Sequence, residues 1–313
     1  MTHRDDVFHE GELLVQERAG EGARAAQIAA GIADVLTPGA TRFLAGQRMI
    51  AIASLDQSGS PQASILLGEA GLIAASGRTS VTVDLAKAFI DPAEPLWSNL
   101  RPGAAIGLLA IELATRRRFR INGHVSSVTP AAVEVEIDEA FGNCPKYIQS
   151  RRLSEQGGES AANVDAASGT ALDAARLQLI ARSDTLFVAS QHPSRGLDVS
   201  HRGGEPGFVR ALDKSTLRVP DYPGNSLFQT LGNLAVTPAA GLAILDFDRG
   251  RLLQLSGEVT LRLDLPDDPG QPSGGTGRYW DFAVSRWVER PLPGGVHWQL
   301  VDRSPYNPER VGG

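Results

Sequence analysis

The segment Leu197-Asp198-Val199-Ser200-His201-Arg202-Gly203-Gly204-Glu205 gathers two carboxylates, a hydroxyl, an imidazole and a guanidinium within nine residues. A phosphate requires convergent N–H and O–H donors around a fixed positive charge, and Ser200, Arg202 and the backbone at Gly203-Gly204 can supply them. An exposed polar hairpin would have the same composition. Further on, a turn at Pro223-Gly224 precedes Asn225, Gln229, Thr230 and Asn233. A helix starting near Asn225 would aim its unpaired N–H groups at an anion, although Asn225 alone is also an ordinary cap. Arg116, Arg117, Arg118 and Arg120 form the densest positive cluster. On a strand, Arg118 and Arg120 share a face while Arg117 points the other way. Such a cluster is either a solvated hairpin or an attractor for an anionic ligand bound between the halves. His201 is the only side chain that suggests acid–base work, and binding phosphate or packing on a neighbouring strand suits it better. No catalytic residue is assigned.

Other constellations carry little. Gly20-Glu21-Gly22-Ala23-Arg24-Ala25 imitates a dinucleotide fingerprint but lacks the preceding strand. The histidines (His3, His9, His124, His192, His201 and His297) show no ligand spacing, so no metal is expected. Cys144 is the one cysteine, which excludes an internal disulfide and fits a reducing compartment. Neither it nor any serine lies in a nucleophile elbow. Trp97, Trp280, Trp287 and Trp298 read as packing residues, one of which could cover an aromatic ring.

These groups must be positioned by a chain of 313 residues, enough for two domains with cores of their own. Hydrophobic residues make up 42%, charged residues 21% and aromatics 6%, the balance of a globular protein. The longest apolar run, Ala104 to Ile111, is interrupted by Gly107 and falls far short of the roughly 20 residues a membrane-spanning helix needs. The start, MTHRDDVFHE, lacks a signal-peptide core, so a cytoplasmic protein without membrane partners is expected. The net charge of −6 argues against nucleic acid as a partner. Arginine outnumbers lysine 27 to 3, and its planar fork suits phosphate.

Apolar residues at Ala25, Ile28, Ala29, Ile32, Val35 and Leu36 predict a helix stopped by Pro38-Gly39. Six short β-rich runs follow: 49–55, 62–67, 71–75, 80–85, 104–111 and 118–125. A helix is expected from Asn143 through Gln149, then a flexible linker at QGGESAANVDAASGT and a helix over 171–182. A β-rich region over 185–265 and strands in RYWDFAVSRWVER and VHWQLVD complete the reading. The two halves repeat. Residues 50–83 align with 186–219 at an offset of 136, matching Ser64 with Ser200 and Gly68 with Gly204. At an offset of 134, Asn99 then matches Asn233, Gly107 Gly241 and Gly123 Gly257. Two β-domains of one plan are expected, with the donor residues concentrated in the second.

The pieces FHEGE, RFLAGQRMIAIAS, RRRFRINGHV, AFGNCPKYIQSR, RSDTLFVASQHP, LDVSHRGGEPGFV, YPGNSLFQTLGNL and LLQLSGEV together resemble the pyridoxamine 5'-phosphate oxidase-like, FMN-binding proteins, in particular their tandem branch. The resemblance implies a mainly β fold with small helices. In it, two tandem six-stranded antiparallel split barrels form a pseudodimer. It divides the chain into an N-terminal helical segment (1–40), a first barrel (41–140), a helix–linker–helix stretch (141–183), a second barrel (184–265) and a tail completing that barrel (266–313). It further implies FMN held by Ser200, His201, Arg202, Gly203, Asn225, Gln229, Thr230 and Asn233, with Gln254 and Ser256 near the flavin ring. One flavin per pair of barrels is expected. The expected activity is an oxidoreductase acting on a small molecule, with deazaflavin F420 as the alternative cofactor, or else a non-catalytic flavin carrier or sensor. Pairing of two such chains is a further expectation. RSPYNPERV near the C-terminus lacks the substrate-binding arginine and histidine of the true pyridoxamine phosphate oxidase, which argues against that reaction.

Overall fold

The computed structural model describes residues 7–154, 166–292, 294 and 296–309. Three helices open the chain: α1 (Glu10–Ala19), α2 (Gly22–Ala29) and α3 (Pro38–Ala45). The expected long helix over 25–36 is therefore absent. Pro38 starts a helix instead of ending one, because Thr37 accepts a hydrogen bond from the Ala40 amide and proline suits the first helical turn. A first set of strands follows: β1 (Met49–Leu55), β2 (Pro61–Leu67), β3 (Ile73–Ala75), β4 (Ser80–Asp84), then the short α4 (Leu96–Asn99), β5 (Ala105–Glu112), β6 (Arg117–Val128) and β7 (Ala132–Asn143). β8 (Ser150–Ser154), β9 (Ala167–Gly169) and α5 (Ala174–Arg182) connect to a second set. That set comprises β10 (Thr185–His192), β11 (Gly196–Gly203), β12 (Arg210–Ala211), β13 (Thr216–Pro220), α6 (Gln229–Val236), β14 (Ala239–Asp246), β15 (Arg251–Arg262) and β16 (Tyr279–Pro291). β17 (His297–Asp302) ends the fold and pairs with β8.

The fold is mainly β and its sheets are antiparallel. The first runs β2-β1-β5-β6-β7-β4-β3 and the second β11-β10-β14-β15-β16-β13-β12, the same order twice, with β9 added on β16. Each path has seven strands where six were expected, the seventh in the first path being β7, which the apolar pattern of the sequence does not mark. No pairing among the described residues closes either sheet on itself. Corresponding irregularities recur: β6 shifts register between Asn122 and Gly123, and β15 between Ser256 and Gly257.

Three apolar cores hold the molecule together, and strand alternation assigns residues among them. On β1, Ile50 and Ile52 face the first sheet's core while Met49, Ala51 and Ala53 face the other way. On β10, Leu186 and Val188 enter the second core while Phe187 and Ala189 join Met49 and Ala51 in a shared core between the sheets. Two glycines let the halves interlock. A Cβ on Gly107 of β5 would come within 3.1 Å of the Leu197 carbonyl oxygen on β11, and one on Gly241 of β14 within 2.6 Å of the Pro61 carbonyl oxygen on β2.

Two further expectations fail. Residues 144–149 form a turn and extended chain, with Gln149 buried and bonded to the Tyr147 and Gly204 carbonyls. Within the proposed linker, Ala167–Gly169 is a strand on β16, while residues 156–165 lie outside the described residues. No helix among the described residues is long and apolar enough to cross a membrane.

Candidate functional site

On β11, alternation turns Asp198, Ser200 and Arg202 to one face, and Leu197, Val199 and His201 to the other. Leu197 and Val199 enter the core between the sheets. The His201 ring accordingly meets the edge of Phe187, its register partner on β10, with centroids 5.5 Å apart. Neither ring nitrogen has a hydrogen-bond partner among the described residues. Burial, then the charges of Arg118, Arg202 and Arg151, hold its pKa well below the ordinary histidine range. The imidazole is neutral and turned away from Ser200. Asp198 and Ser200 are themselves buried, which excludes an exposed polar hairpin.

The Ser200 face is completed by the first half of the chain. Arg118 and Arg120 project from β6 away from the first core, which takes Ile121 and Phe119 from the opposite face. Arg120 Nε lies 3.0 Å from Asp198 Oδ1, and its Nη groups donate to Ser200 Oγ, Gln229 Oε1 and the Val199 carbonyl. Asp198 Oδ2 accepts from Ser200 Oγ at 3.1 Å and from Thr230 Oγ1 at 3.4 Å. Arg118 donates to the carbonyls of Cys144 (3.1 Å), Lys146 (2.9 Å) and His201 (3.2 Å). No carboxylate pairs with Arg118 among the described residues. Burial, followed by repulsion from Arg120 and Arg202, lowers its pKa to about 10, against the pull of Cys144. Arg202 lies 3.6 Å from Asp221, a carboxylate already engaged by Arg278 at 2.9 Å.

The third wall is the stretch before α6. Its helix begins at Gln229, four residues later than the Asn225 start considered from sequence, because Ser226 and Phe228 adopt positive φ angles of 65° and 59°. Asn225 Oδ1 instead accepts from the Leu227 amide. Phe228 contributes no side-chain cap, so the first-turn N–H groups of α6 have no capping acceptor there. The N-terminal helices fix this stretch from behind. Gln16 donates to the Leu227 carbonyl, Glu21 accepts from Ser226, and the His9 ring bonds Asn233.

Ser200, His201, Arg202, Gly203, Asn225, Gln229 and Thr230 thus line one cleft enclosing about 790 Å3, open solvent included. Asn233 lines a smaller neighbouring cleft that shares Gln229. Gln254 and Ser256 line a separate one with Gln62 and Pro95. The repeat accounts for their separation: at the offset of 134, Gln254 corresponds to Arg120 and Ser256 to Asn122. Gln254 reaches into the first half, donating to the Ala63 carbonyl at 2.9 Å, as Arg120 reaches Val199. Each half lends its long central strand to the other half's face.

Sequence reasoning missed Lys146, Tyr147 and Tyr222 as walls of the main cleft, and Cys144 beside Arg118. Tyr147 donates to the Pro223 carbonyl, its ring lies 4.9 Å from that of Tyr222, and burial pushes its pKa up to about 12. The helix expected over 143–149 hid Cys144, Lys146 and Tyr147, since helical spacing would have scattered these side chains. A metal grouping is also newly visible: ligand atoms of His9, Glu10 and His192 lie within 4.8 Å of one another. The histidine rings are stacked at 4.0 Å, and His9 Nδ1 and Nε2 and His192 Nδ1 and Nε2 all have hydrogen-bond partners, so no inward set of free lone pairs exists.

No protein-family model and no curated protein matches the chain. Among solved structures, it is similar to a candidate pyridoxamine 5'-phosphate oxidase from Lactobacillus delbrueckii (12% identity, TM-score 0.31, covering 37% of this chain and 93% of that one). It is also similar to a FAD-binding protein from Mesorhizobium loti (10%, 0.28, 41% and 99%) and to an F420 reductase (19%, 0.26, 35% and 92%). Each of those chains is matched over nearly its whole length by about two-fifths of this one.

Proposed function

We propose that the chain is a tandem split-barrel flavoprotein that binds FMN in the cleft between β11, β6 and α6, as an oxidoreductase for a small molecule. The observation that carries this reading is Arg118, a guanidinium without a carboxylate partner among the described residues, lining a cleft with Arg202, Lys146, Ser200 and Thr230. Arg118 is half-buried, and an anionic ligand in the cleft would balance its charge. The repeated strand order and the two interlocking glycines support the tandem-barrel part.

The fit to a flavin nucleotide is chemical. Arg118, Arg202, Lys146 and the first amides of α6 would hold the phosphate, while Tyr147 and Tyr222 offer aromatic wall. When bound, the flavin supplies the electron-transfer chemistry. The chain's share is to neutralise the phosphate, hold the ligand between the halves and shield it from water. The orientation of His201 also favours a second reading, a flavin carrier or sensor, because the one suggested acid–base side chain is turned from the Ser200 face.

Titration of purified protein with FMN tests the proposal. Bound-flavin absorbance is expected, weakened when Ser200→Ala and Arg202→Ala are combined. No bound flavin at saturation, with no effect of the substitutions, overturns it. Preferential retention of F420 in competition would replace FMN as the cofactor. Tight binding without reduction by NADH or NADPH across acceptor screens would favour the carrier.

A further inference from the structure

The face at Gln254 and Ser256 is the counterpart of the main cleft, but its charges are arranged differently. Residues 91–99 correspond to 225–233 at the offset of 134. Both stretches are anchored alike: Asn99 donates to Ser54 at 2.9 Å, and Asn233 donates to Ser190, the residue matched to Ser54, at 3.0 Å. Ser64 likewise corresponds to Ser200, and Gln254 to Arg120. The cations do not correspond. Where the main cleft has Arg118 and Arg202, this face has Leu252 and Leu66, both buried. Its buried cation is Arg290, which stands opposite Leu252 on β16 as the neutral Asn143 stands opposite Arg118 on β7. Arg286, at the rim, is exposed.

The anion that answers Arg290 comes from the chain itself. Glu94, only 8% exposed, accepts from Ser64 Oγ at 2.8 Å and from Gln254 Nε2 at 2.9 Å, and its other carboxylate oxygen lies 3.5 Å from Arg290 Nη1. Asp91 accepts from the same Nη1 at 3.2 Å. A hydroxyl, an amide and a guanidinium thus converge on one carboxylate, the kind of donor set an anionic ligand requires. The residue matched to Glu94 in the second half is Phe228, which brings no charge, and Arg118 there has no carboxylate partner among the described residues. We propose that Glu94 is a built-in ligand: its carboxylate fills the anion position of the first face and closes that face, leaving the chain with one anion site. The proposal rests on the flavin reading only for the identity of the ligand on the second face.

The probe is sodium acetate, the fragment that Glu94→Ala removes, compared with acetamide in sodium chloride of the same ionic strength. Glu94→Ala in the intact chain should lower the thermal midpoint. Acetate at about 100 mM should recover at least half of that loss, saturably, as a ligand of the folded state does. Acetamide should need about tenfold more for the same shift, the worth of one charge-assisted hydrogen bond. Ser64→Ala added to Glu94→Ala should weaken acetate about fivefold, the worth of one neutral hydrogen bond. Glu94→Gln, which keeps the position filled, should gain nothing from acetate, and the unsubstituted chain should bind FMN once. Equal effects of acetate and acetamide, an acetate shift of the same size in Glu94→Gln, or a second FMN on the unsubstituted chain each overturns the proposal. Failure to bind any FMN overturns the flavin reading and leaves the acetate result to decide this one. Should Glu94→Ala be unfolded in buffer, refolding in acetate but not in acetamide supports the proposal, and refolding in neither overturns it.

Discussion

The Arg120–Asp198 pair offers a sharp test of how the two halves are joined at the site. Both side chains are almost fully buried, at 6% and 3% exposure, and the guanidinium comes from the first half while the carboxylate comes from the second. Removing one partner of such a pair leaves an uncompensated charge and costs about 3–5 kcal/mol. The two single substitutions should nevertheless differ. In Arg120→Gln, Asp198 keeps the Ser200 and Thr230 hydroxyls as donors and can also take up a proton. In Asp198→Gln, Arg120 keeps hydrogen bonds to neutral acceptors alone, with the charges of Glu139 and Glu12 as its remaining compensation, and cannot lose its charge. Asp198→Gln is therefore expected near the upper end of the range and Arg120→Gln near or below the lower end.

The chain itself indicates what the double substitution should do. At the corresponding positions it carries Gln62 and Gln254, two neutral side chains that line one cleft, with Gln254 donating to Glu94, a carboxylate paired with Arg290. Arg120→Gln combined with Asp198→Gln should thus recover most of the loss, with a coupling of about 2–3 kcal/mol in a double-mutant cycle. Urea unfolding of the four proteins at neutral pH measures it. Single substitutions each costing under about 1 kcal/mol, or a coupling near zero, would refute the argument that this pair is a buried clasp between the halves.

Arg118→Met should weaken FMN binding by about 10- to 150-fold, the worth of one or two hydrogen bonds to charge, and also remove the donor to three main-chain carbonyls; flavin fluorescence titration reads the first effect and calorimetry of the unliganded protein the second. Gly11→Ala should destabilise by about 1–3 kcal/mol, because its Cβ would overlap the Gly232 carbonyl and come within 2.8 Å of Val236 Cγ2 where α1 crosses α6; chemical denaturation reads this. Burial raises the Glu12 pKa from 4.5 to about 8, so the stability of its protonated form is present below 4.5 and lost as pH rises through 8. Burial and His192 lower His9 from 6.5 to about 4, so its contribution is present above 6.5 and lost as pH falls through 4. The opposing slopes meet between 4.5 and 6.5, so the unmodified chain should lose stability from pH 6.5 to 8. Glu12→Gln, which preserves the capping box, should abolish that loss in thermal melts.

What the sequence disclosed follows from the range of each interaction. Met49–Leu55 was legible because a continuous apolar run flanked by turn residues can only be a buried strand or helix, and its β-branched content and length decide for strand. β7 was missed although AVEVEID alternates, because charged residues on its open face lowered its apolar content below that of its neighbours. Asn225 has the composition of a cap, yet the positive φ angles at Ser226 and Phe228 are imposed by contacts with Gln16, Glu21 and the cleft wall, all distant in sequence. The repeat carried the most information. It shows which residues correspond, and correspondence tempts one to assemble a site from a single half. In a pair of interlocked halves, however, a face is completed by the strand of the opposite half, so Ser200 meets Arg120 and Gln254 meets Ala63. Arg118 and Arg120 of the arginine cluster therefore share a cleft with Ser200, His201 and Arg202, whereas Arg116 bonds the Ile148 carbonyl and Asp302 and Arg117 lies over the Phe43 ring. The residues that the same repeat places inside the second half, Gln254 and Ser256, belong to the other face.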